Sequence, residues 1–237
     1  MKVENTCSIV TGGSKGIGRA IVELIVSKGG NVIIGDVLDK EGQEVADSIN
    51  KSGKKRAVFV HCDVSKLEEL KNLFKVADEE FGGAQIMFNN AGINEPEYPY
   101  TDLGSTSARE PCKEFPFYSF TKNSVWHFTH IMSQLNWENI RVNCIAPGYT
   151  RTDILKDGDV DETEILESTI GLLEPPYIAS KMLELVEDDK ANGVVKWVEL
   201  EGDQLASKVH VISANEEVAK FLANSNKDGK EENVPMN

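Results

Sequence analysis

No stretch of this 237-residue chain approaches the roughly eighteen consecutive apolar residues that a membrane-spanning helix needs. The opening Met1-Lys2-Val3-Glu4-Asn5 carries an acid and lacks the apolar run of a secretory leader, so a cytosolic protein is expected. Cysteine is scarce. Cys7, Cys62, Cys112 and Cys144 lie far apart without C-x-x-C spacing, so they read as reduced thiols rather than as a disulfide framework or a zinc site. His127 and His130 share a predicted helix, but no acid or thiol stands beside them at ligand spacing, so no metal is expected. Positive charge is also in deficit. Lys and Arg number 25 against 39 Asp and Glu, for a net charge of −14. Nucleic acids and anionic membranes need clustered cations at their phosphates, and this balance excludes them as partners. Much of the acid excess follows Asp153, where it reads as a solvated face.

What is present is ordinary for a folded domain: 40% hydrophobic and 27% charged residues, with no repeat and no low-complexity tract. The first ninety residues alternate strand and helix patterns. Ser8-Ile9-Val10 closes an apolar run, after which Ile17, Ala20, Ile21, Leu24 and Ile25 recur at helical spacing. Strands are predicted at Asn31 to Gly35, Ala57 to His61 and Ile86 to Phe88, with helices at Glu41 to Asn50 and Leu67 to Phe81 between them. Farther on, Val125, Phe128, Met132 and Leu135 mark a helical face, Arg141 to Ala146 a strand, Ile178 to Val186 a helix and Val194 to Val198 a last strand. Strands separated by single helices imply right-handed βαβ units, hence an α/β fold with a doubly wound parallel sheet. It occupies residues 1–212 as a single domain, and the polar residues 213–237 are expected to be a disordered tail.

Thr11-Gly12-Gly13-Ser14-Lys15-Gly16-Ile17-Gly18 falls at the junction of the first strand and first helix. Glycines there allow a tight turn and a close approach to a pyrophosphate, which the helix N-terminus favours. Turns use glycine too; the strand-to-helix placement is what makes the pattern specific. Candidate cofactor contacts are therefore Gly12, Ser14, Lys15, Gly16, Ile17 and Gly18. Asp36 ends the second strand, where a carboxylate accepts hydrogen bonds from ribose hydroxyls and repels a 2′-phosphate, so NAD is expected over NADP. Lys15 and Arg19 are the residues that would favour NADP instead.

The T-G-x-x-x-G-x-G spacing resembles that of the short-chain dehydrogenase/reductase family, and further marks follow in order. They are Cys62-Asp63-Val64 after the third strand, Asn89-Asn90-Ala91-Gly92 closing the fourth, Tyr118-Ser119-Phe120-Thr121-Lys122 as Y-x-x-x-K, and Pro147-Gly148-Tyr149-Thr150-Arg151-Thr152. Within the family the chain is most similar to one subgroup, a likeness that extends through Gly171 to Ala179 and Val186 to Gly193. The family resemblance implies a Rossmann-type fold, adenine contacts at Val37, Cys62, Asp63 and Val64, and cofactor contacts at Asn90, Tyr118, Lys122, Gly148, Thr150 and Thr152. It also implies Tyr118 as general base, Lys122 as the cation that lowers its pKa, and Ser105, thirteen positions before the tyrosine, as the group orienting the substrate oxygen. The reaction implied is NAD-dependent oxidation of a secondary alcohol, a lipid-like hydroxy compound, to a ketone.

The pattern breaks once. Only Ile93 to Gly104 separates the fourth strand's glycine from Ser105, too little for a crossover helix and a full fifth strand. In the family this interval is about thirty residues longer, the size of one helix plus strand. The fifth strand is therefore expected to be incomplete, at most a stub at Tyr100 to Leu103. With the helix go the family's fourth catalytic residue, an asparagine, and part of its usual homodimer interface. Three readings follow: an active dehydrogenase, a catalytically impaired nucleotide-binding paralogue, or an incomplete sequence of an active enzyme.

Overall fold

The computed structural model describes residues 1–92, 116–135, 137–157, 160–161, 163–200 and 204–205, with side chains excepted at 116–118, 154, 156–157, 160–161, 165 and 204–205. The shortened crossover, the Tyr100–Leu103 stub, Ser105 and the tail at 213–237 lie outside the described residues.

The N-terminal half follows the alternation read from sequence: β1 (Cys7–Thr11), α1 (Gly16–Ser27), β2 (Asn31–Asp36), α2 (Asp39–Asn50), β3 (Ala57–His61), α3 (Leu67–Phe81) and β4 (Ile86–Phe88). The four strands make a parallel sheet in the order β3-β2-β1-β4. Ser8 stands opposite both Val32 and Ile86. All five residues of β1 are buried, as an interior parallel strand covered on both faces must be. Side chains alternate between the two layers. Val10 and Ile34 pack under α1 with Ile21, Val22 and Ile25; Cys7, Ile9 and Ile33 pack under α3 with Leu73 and Ala77.

The second half contains α4 (Pro116–Gln134), β5 (Cys144–Pro147), β6 (Lys156–Asp157), β7 (Val160–Asp161), α5 (Thr163–Thr169), α6 (Pro175–Glu187), β8 (Val195–Val198) and β9 (Gln204–Leu205). β5 pairs in parallel with β8, and β9 pairs with β8 antiparallel. Among the described residues no strand stands between β4 and β5, and these two strands fall in separate sheets. Helix packing joins them. Ala179 and Leu183 of α6 enter the same cluster as Val22 and Ile25 of α1, while Ile17 of α1 meets Ile145, Leu173, Ile178 and Val198.

The helix expected from Val125, Phe128, Met132 and Leu135 is present as α4; Val125, Phe128 and Leu135, the last just past the helix, are exposed, while Thr129 and His130 are buried and Trp126 meets Trp197 edge-on at 5.5 Å. Periodicity located a helix there, but which face turns inward depends on the neighbouring β5–β8 layer. The strand expected from Arg141 begins only at Cys144. Val142 and Asn143 instead bond to the loop at 192–194: Asn192 Oδ1 accepts from Val142 N, and Asn143 Oδ1 from Val194 N.

Arg141 itself closes the C-terminus of α6. Its guanidinium donates to the carbonyls of Leu185, Val186, Asp188 and Ala191 at 2.7–3.2 Å. Helix ends leave such carbonyls without intrahelical partners, and an arginine fork is well shaped to serve several. Arg141→Leu is expected to lower stability by about 2–4 kcal/mol, since hydrogen bonds from a charged donor are lost from part-buried acceptors. Urea denaturation of the two proteins measures it; a change below about 0.5 kcal/mol would show that water serves those carbonyls equally well.

Among the described residues no helix is long and apolar enough to cross a membrane. None of their His, Cys, Asp and Glu groups could hold a metal ion.

Candidate active site

The glycine turn after β1 is a closed backbone cradle. Gly12 adopts φ +64°, and a Cβ on it would stand 2.9 Å from the Ala91 Cα. A Cβ on Gly18 would stand 2.0 Å from the Gly12 carbonyl oxygen, so α1 enters the turn in direct backbone contact. Thr11 and Asn90 tie this turn to the segment after β4. The Thr11 hydroxyl donates to the Phe88 carbonyl and accepts from the backbone N–H groups of Asn90 and Ala91 at 3.1 Å. The Asn90 amide returns bonds to the carbonyls of Thr11 and Gly12 at 3.1 and 3.2 Å. Helix α1 starts without a side-chain cap and without an acid in its first turn. Its free N–H groups and positive dipole end therefore favour an anion.

Beside the cradle, Asp36 is buried at the end of β2. Its Oδ2 accepts from the Ser14 N–H at 3.0 Å and its Oδ1 from the Leu38 N–H at 3.1 Å, which fixes the carboxylate plane. Each oxygen keeps acceptor capacity for a further donor. The Ser14 hydroxyl is buried without a hydrogen-bond partner among the described residues. Val37, Leu38 and Val64 expose apolar side chains nearby, an environment suited to a flat base. Asp63 is held by the Ser65 hydroxyl and N–H at 2.7 and 3.0 Å, and these bonds draw its carboxyl below the usual range. The Cys62 side chain packs into the core with Ile33 and Leu73, where burial raises its thiol pKa.

The opposite wall comes from the second half of the chain. Lys122 lies one turn after Tyr118 on α4. A Cβ on Gly92 would be 3.9 Å from its Nζ, so the ammonium lies against the segment that closes β4. Burial pushes the Lys122 pKa down. Burial also pushes the neighbouring Cys144 thiol up to about 11, an effect the lysine's charge moderates. Pro147 to Thr152 leaves β5 and crosses toward the cradle. Gly148 N–H donates to the Val198 carbonyl at 2.9 Å, and the buried Thr150 hydroxyl donates to the Gly148 carbonyl at 2.9 Å. Thr152 reaches Gly16, where an added Cβ would meet its Cγ2 at 3.0 Å. Lys15 stands between two acids, 3.3 Å from Glu41 Oε1 and 3.8 Å from Asp153 Oδ2.

The predicted residues Gly12, Gly16, Gly18, Asn90 and Thr152 are thus brought to one place, with Ser14 and Asp36 on one side and Lys122 on the other. Ile17 is partly buried, packed into the cluster that joins the two sheets. The Tyr118 side chain and Ser105 lie outside the described residues. Thr11, Glu41, Cys144 and Asp153 were not singled out from sequence. Thr11 opens the glycine motif and was legible in principle; Cys144 meets Lys122 only through the packing of α4 on β5.

Comparison with known proteins identifies the family. The family model for short chain dehydrogenase matches residues 6–103 and 101–163. The 15-hydroxyprostaglandin dehydrogenase [NAD(+)] of Macaca fascicularis is 26% identical over 242 residues, covering 82% of this chain and 91% of that protein. A short-chain dehydrogenase/reductase from Mycobacterium marinum superposes with a TM-score of 0.72 at 21% identity, over 84% of this chain and 95% of that one. L-sorbose reductase from Gluconobacter frateurii, solved with NADPH and L-sorbose, gives 0.70 at 23% identity, over 84% and 97%. Motifs in order, parallel strands β3-β2-β1-β4 and a match across most of its length have one meaning: this chain belongs to the short-chain dehydrogenase family of oxidoreductases.

Proposed function

We propose that this protein oxidises a secondary alcohol, a lipid-like hydroxy compound, to a ketone with NAD as acceptor, in the manner of 15-hydroxyprostaglandin dehydrogenase. The observation that carries the cofactor half is Asp36. Its carboxylate is buried and pinned by two backbone N–H groups. A 2′-phosphate placed there would meet a negative charge that cannot swing away, whereas ribose hydroxyls would find an acceptor. The cradle fits the pyrophosphate: Gly12 and Gly18 leave no room for a Cβ, and the α1 N-terminus is uncapped. Val37, Leu38, Asp63 and Val64 would take the adenine, and Asn90, Gly148, Thr150, Thr152 and Lys122 the nicotinamide end. When bound, the cofactor accepts the hydride.

The chain's own residues handle the proton. Tyr118 removes it from the substrate hydroxyl, and the Lys122 ammonium favours the phenolate by direct charge attraction. Its desolvated position strengthens that attraction, because less water screens it. Ser105 orients the substrate oxygen. The protein works in the cytosol on a small molecule, and neither nucleic acid nor metal enters the reaction.

The short interval from Ile93 to Gly104, too little for a crossover helix and a full strand, favours a second reading, a nucleotide-binding protein without turnover. Calorimetry with NAD and an NADH absorbance assay on a panel of hydroxy fatty acids and hydroxysteroids separate the two, on protein shown folded by circular dichroism. NADH formation from a hydroxy lipid supports the enzyme. Micromolar NAD binding without NADH supports the second reading, and no binding removes both.

A further inference from the structure

We infer that Glu41 is a cofactor-selecting residue: it occupies Lys15 and so denies a 2′-phosphate the cation it would need. This rests on the NAD reading above and adds to it a second determinant beyond Asp36.

The geometry lies between the start of α1 and the first face of α2. A cleft of about 270 Å³ there is lined by Ser14, Lys15, Arg19, Glu41, Glu44 and Val45, among others. It adjoins the proposed ribose position, because its wall residue Ser14 is the one whose N–H holds Asp36 Oδ2 at 3.0 Å. A phosphate on the ribose 2′ oxygen would enter this cleft, and the cleft holds two cations. Neither is free. Lys15 Nζ is 3.3 Å from Glu41 Oε1, its nearer acid, and 3.8 Å from Asp153 Oδ2, and Arg19 Nε donates to Glu23 Oε1 at 2.8 Å. Glu41 and Glu44 line the same space. A dianion entering there must displace Glu41 from Lys15 and then sit beside the released carboxylate. NAD carries no charge at that position and meets neither penalty.

The pair is half-exposed, so its own attraction is weak. Its leverage comes from the charge on the incoming phosphate, which doubles the repulsion a single carboxylate exerts. Removing one negative charge next to a dianion at a wet surface should change affinity by about five- to tenfold, and less at high salt.

Calorimetry with NAD and NADP on the full chain tests this, using wild type, Glu41→Gln and the double variant Lys15→Met/Glu41→Gln. The readout is the ratio of the NADP and NAD dissociation constants. Glu41→Gln is expected to lower that ratio by about five- to tenfold at low salt, with the gain shrinking at 0.5 M salt on the order expected from screening. The double variant is expected to return the ratio to near the wild-type value. An unchanged ratio in Glu41→Gln overturns the inference, as does a lowered ratio that persists in the double variant, since Lys15 would then not be the group released. If wild type binds neither nucleotide, the NAD reading itself fails, a result distinct from an unchanged ratio, and this inference falls with it.

Discussion

Gly18→Ala is expected to abolish NAD binding and to lower the melting temperature by about 6–12 °C, from a stability loss on the order of 3 kcal/mol. The added methyl would be 2.0 Å from the Gly12 carbonyl oxygen and 2.6 Å from the Asn90 amide nitrogen. Backbone contact on one side and a doubly bonded side chain on the other leave nothing that can yield cheaply. Either α1 shifts outward, which opens the anion cradle, or Asn90 releases Thr11 and Gly12, which frees the β1 turn from the segment after β4. Gly148→Ala is the contrast: the nearest atom to its new Cβ is the Val198 carbonyl at 3.5 Å, ordinary contact, so its stability should change little. Calorimetry and thermal melts on both variants decide the matter. Normal NAD affinity in Gly18→Ala would mean that the cradle is not where the nucleotide sits.

Lys122→Met is expected to reduce turnover by about 10²–10⁴-fold, the usual range for loss of acid–base assistance. Stability should not suffer. The ammonium is desolvated in the fold and its pKa is lowered, so burying it opposes folding. The sign follows by linkage. Between the lowered native pKa and the unfolded value the unfolded chain binds more protons, so this group makes stability rise with pH toward the unfolded pKa. Cys144 acts oppositely: its native pKa of about 11 exceeds the thiol's ordinary value of 9.0, so the native state keeps its proton and stability falls as pH rises from 9 toward 11. Urea midpoints across alkaline pH, in a Cys144→Ala background, should fall more steeply with pH once Lys122→Met removes the lysine's rising contribution, because the buried Cys7 and Cys62 thiols pull the other way. Tyr118→Phe should match the turnover loss while keeping NAD affinity. Full turnover in either variant would end the proposed proton path.

The half of the fold before Gly92 was legible because local and global signals agree there. Ile21, Val22 and Ile25 recur at helical spacing and do face the sheet. In α4 they disagree. Phe128 and Leu135 gave the helix its periodicity yet stand exposed, while Thr129 and His130 are buried. A hydrophobic pattern reports that a helix exists; it does not report which face its neighbours leave open.

The sequence by itself determined the family, the alternation of the first four parallel strands with their helices, the glycines after β1 and the acid at the end of β2. Each of these is written in residues close together along the chain, where glycine conformation and side-chain alternation act directly. Tertiary structure alone decided that Lys122 meets Gly92 and Cys144, that Thr152 closes over Gly16, and that Glu41 and Asp153 hold Lys15. Those meetings join segments tens of residues apart, through the packing of α6 on α1 and α4 on β5. Periodicity carries no information about such distances; only the balance of burial across the whole fold fixes them.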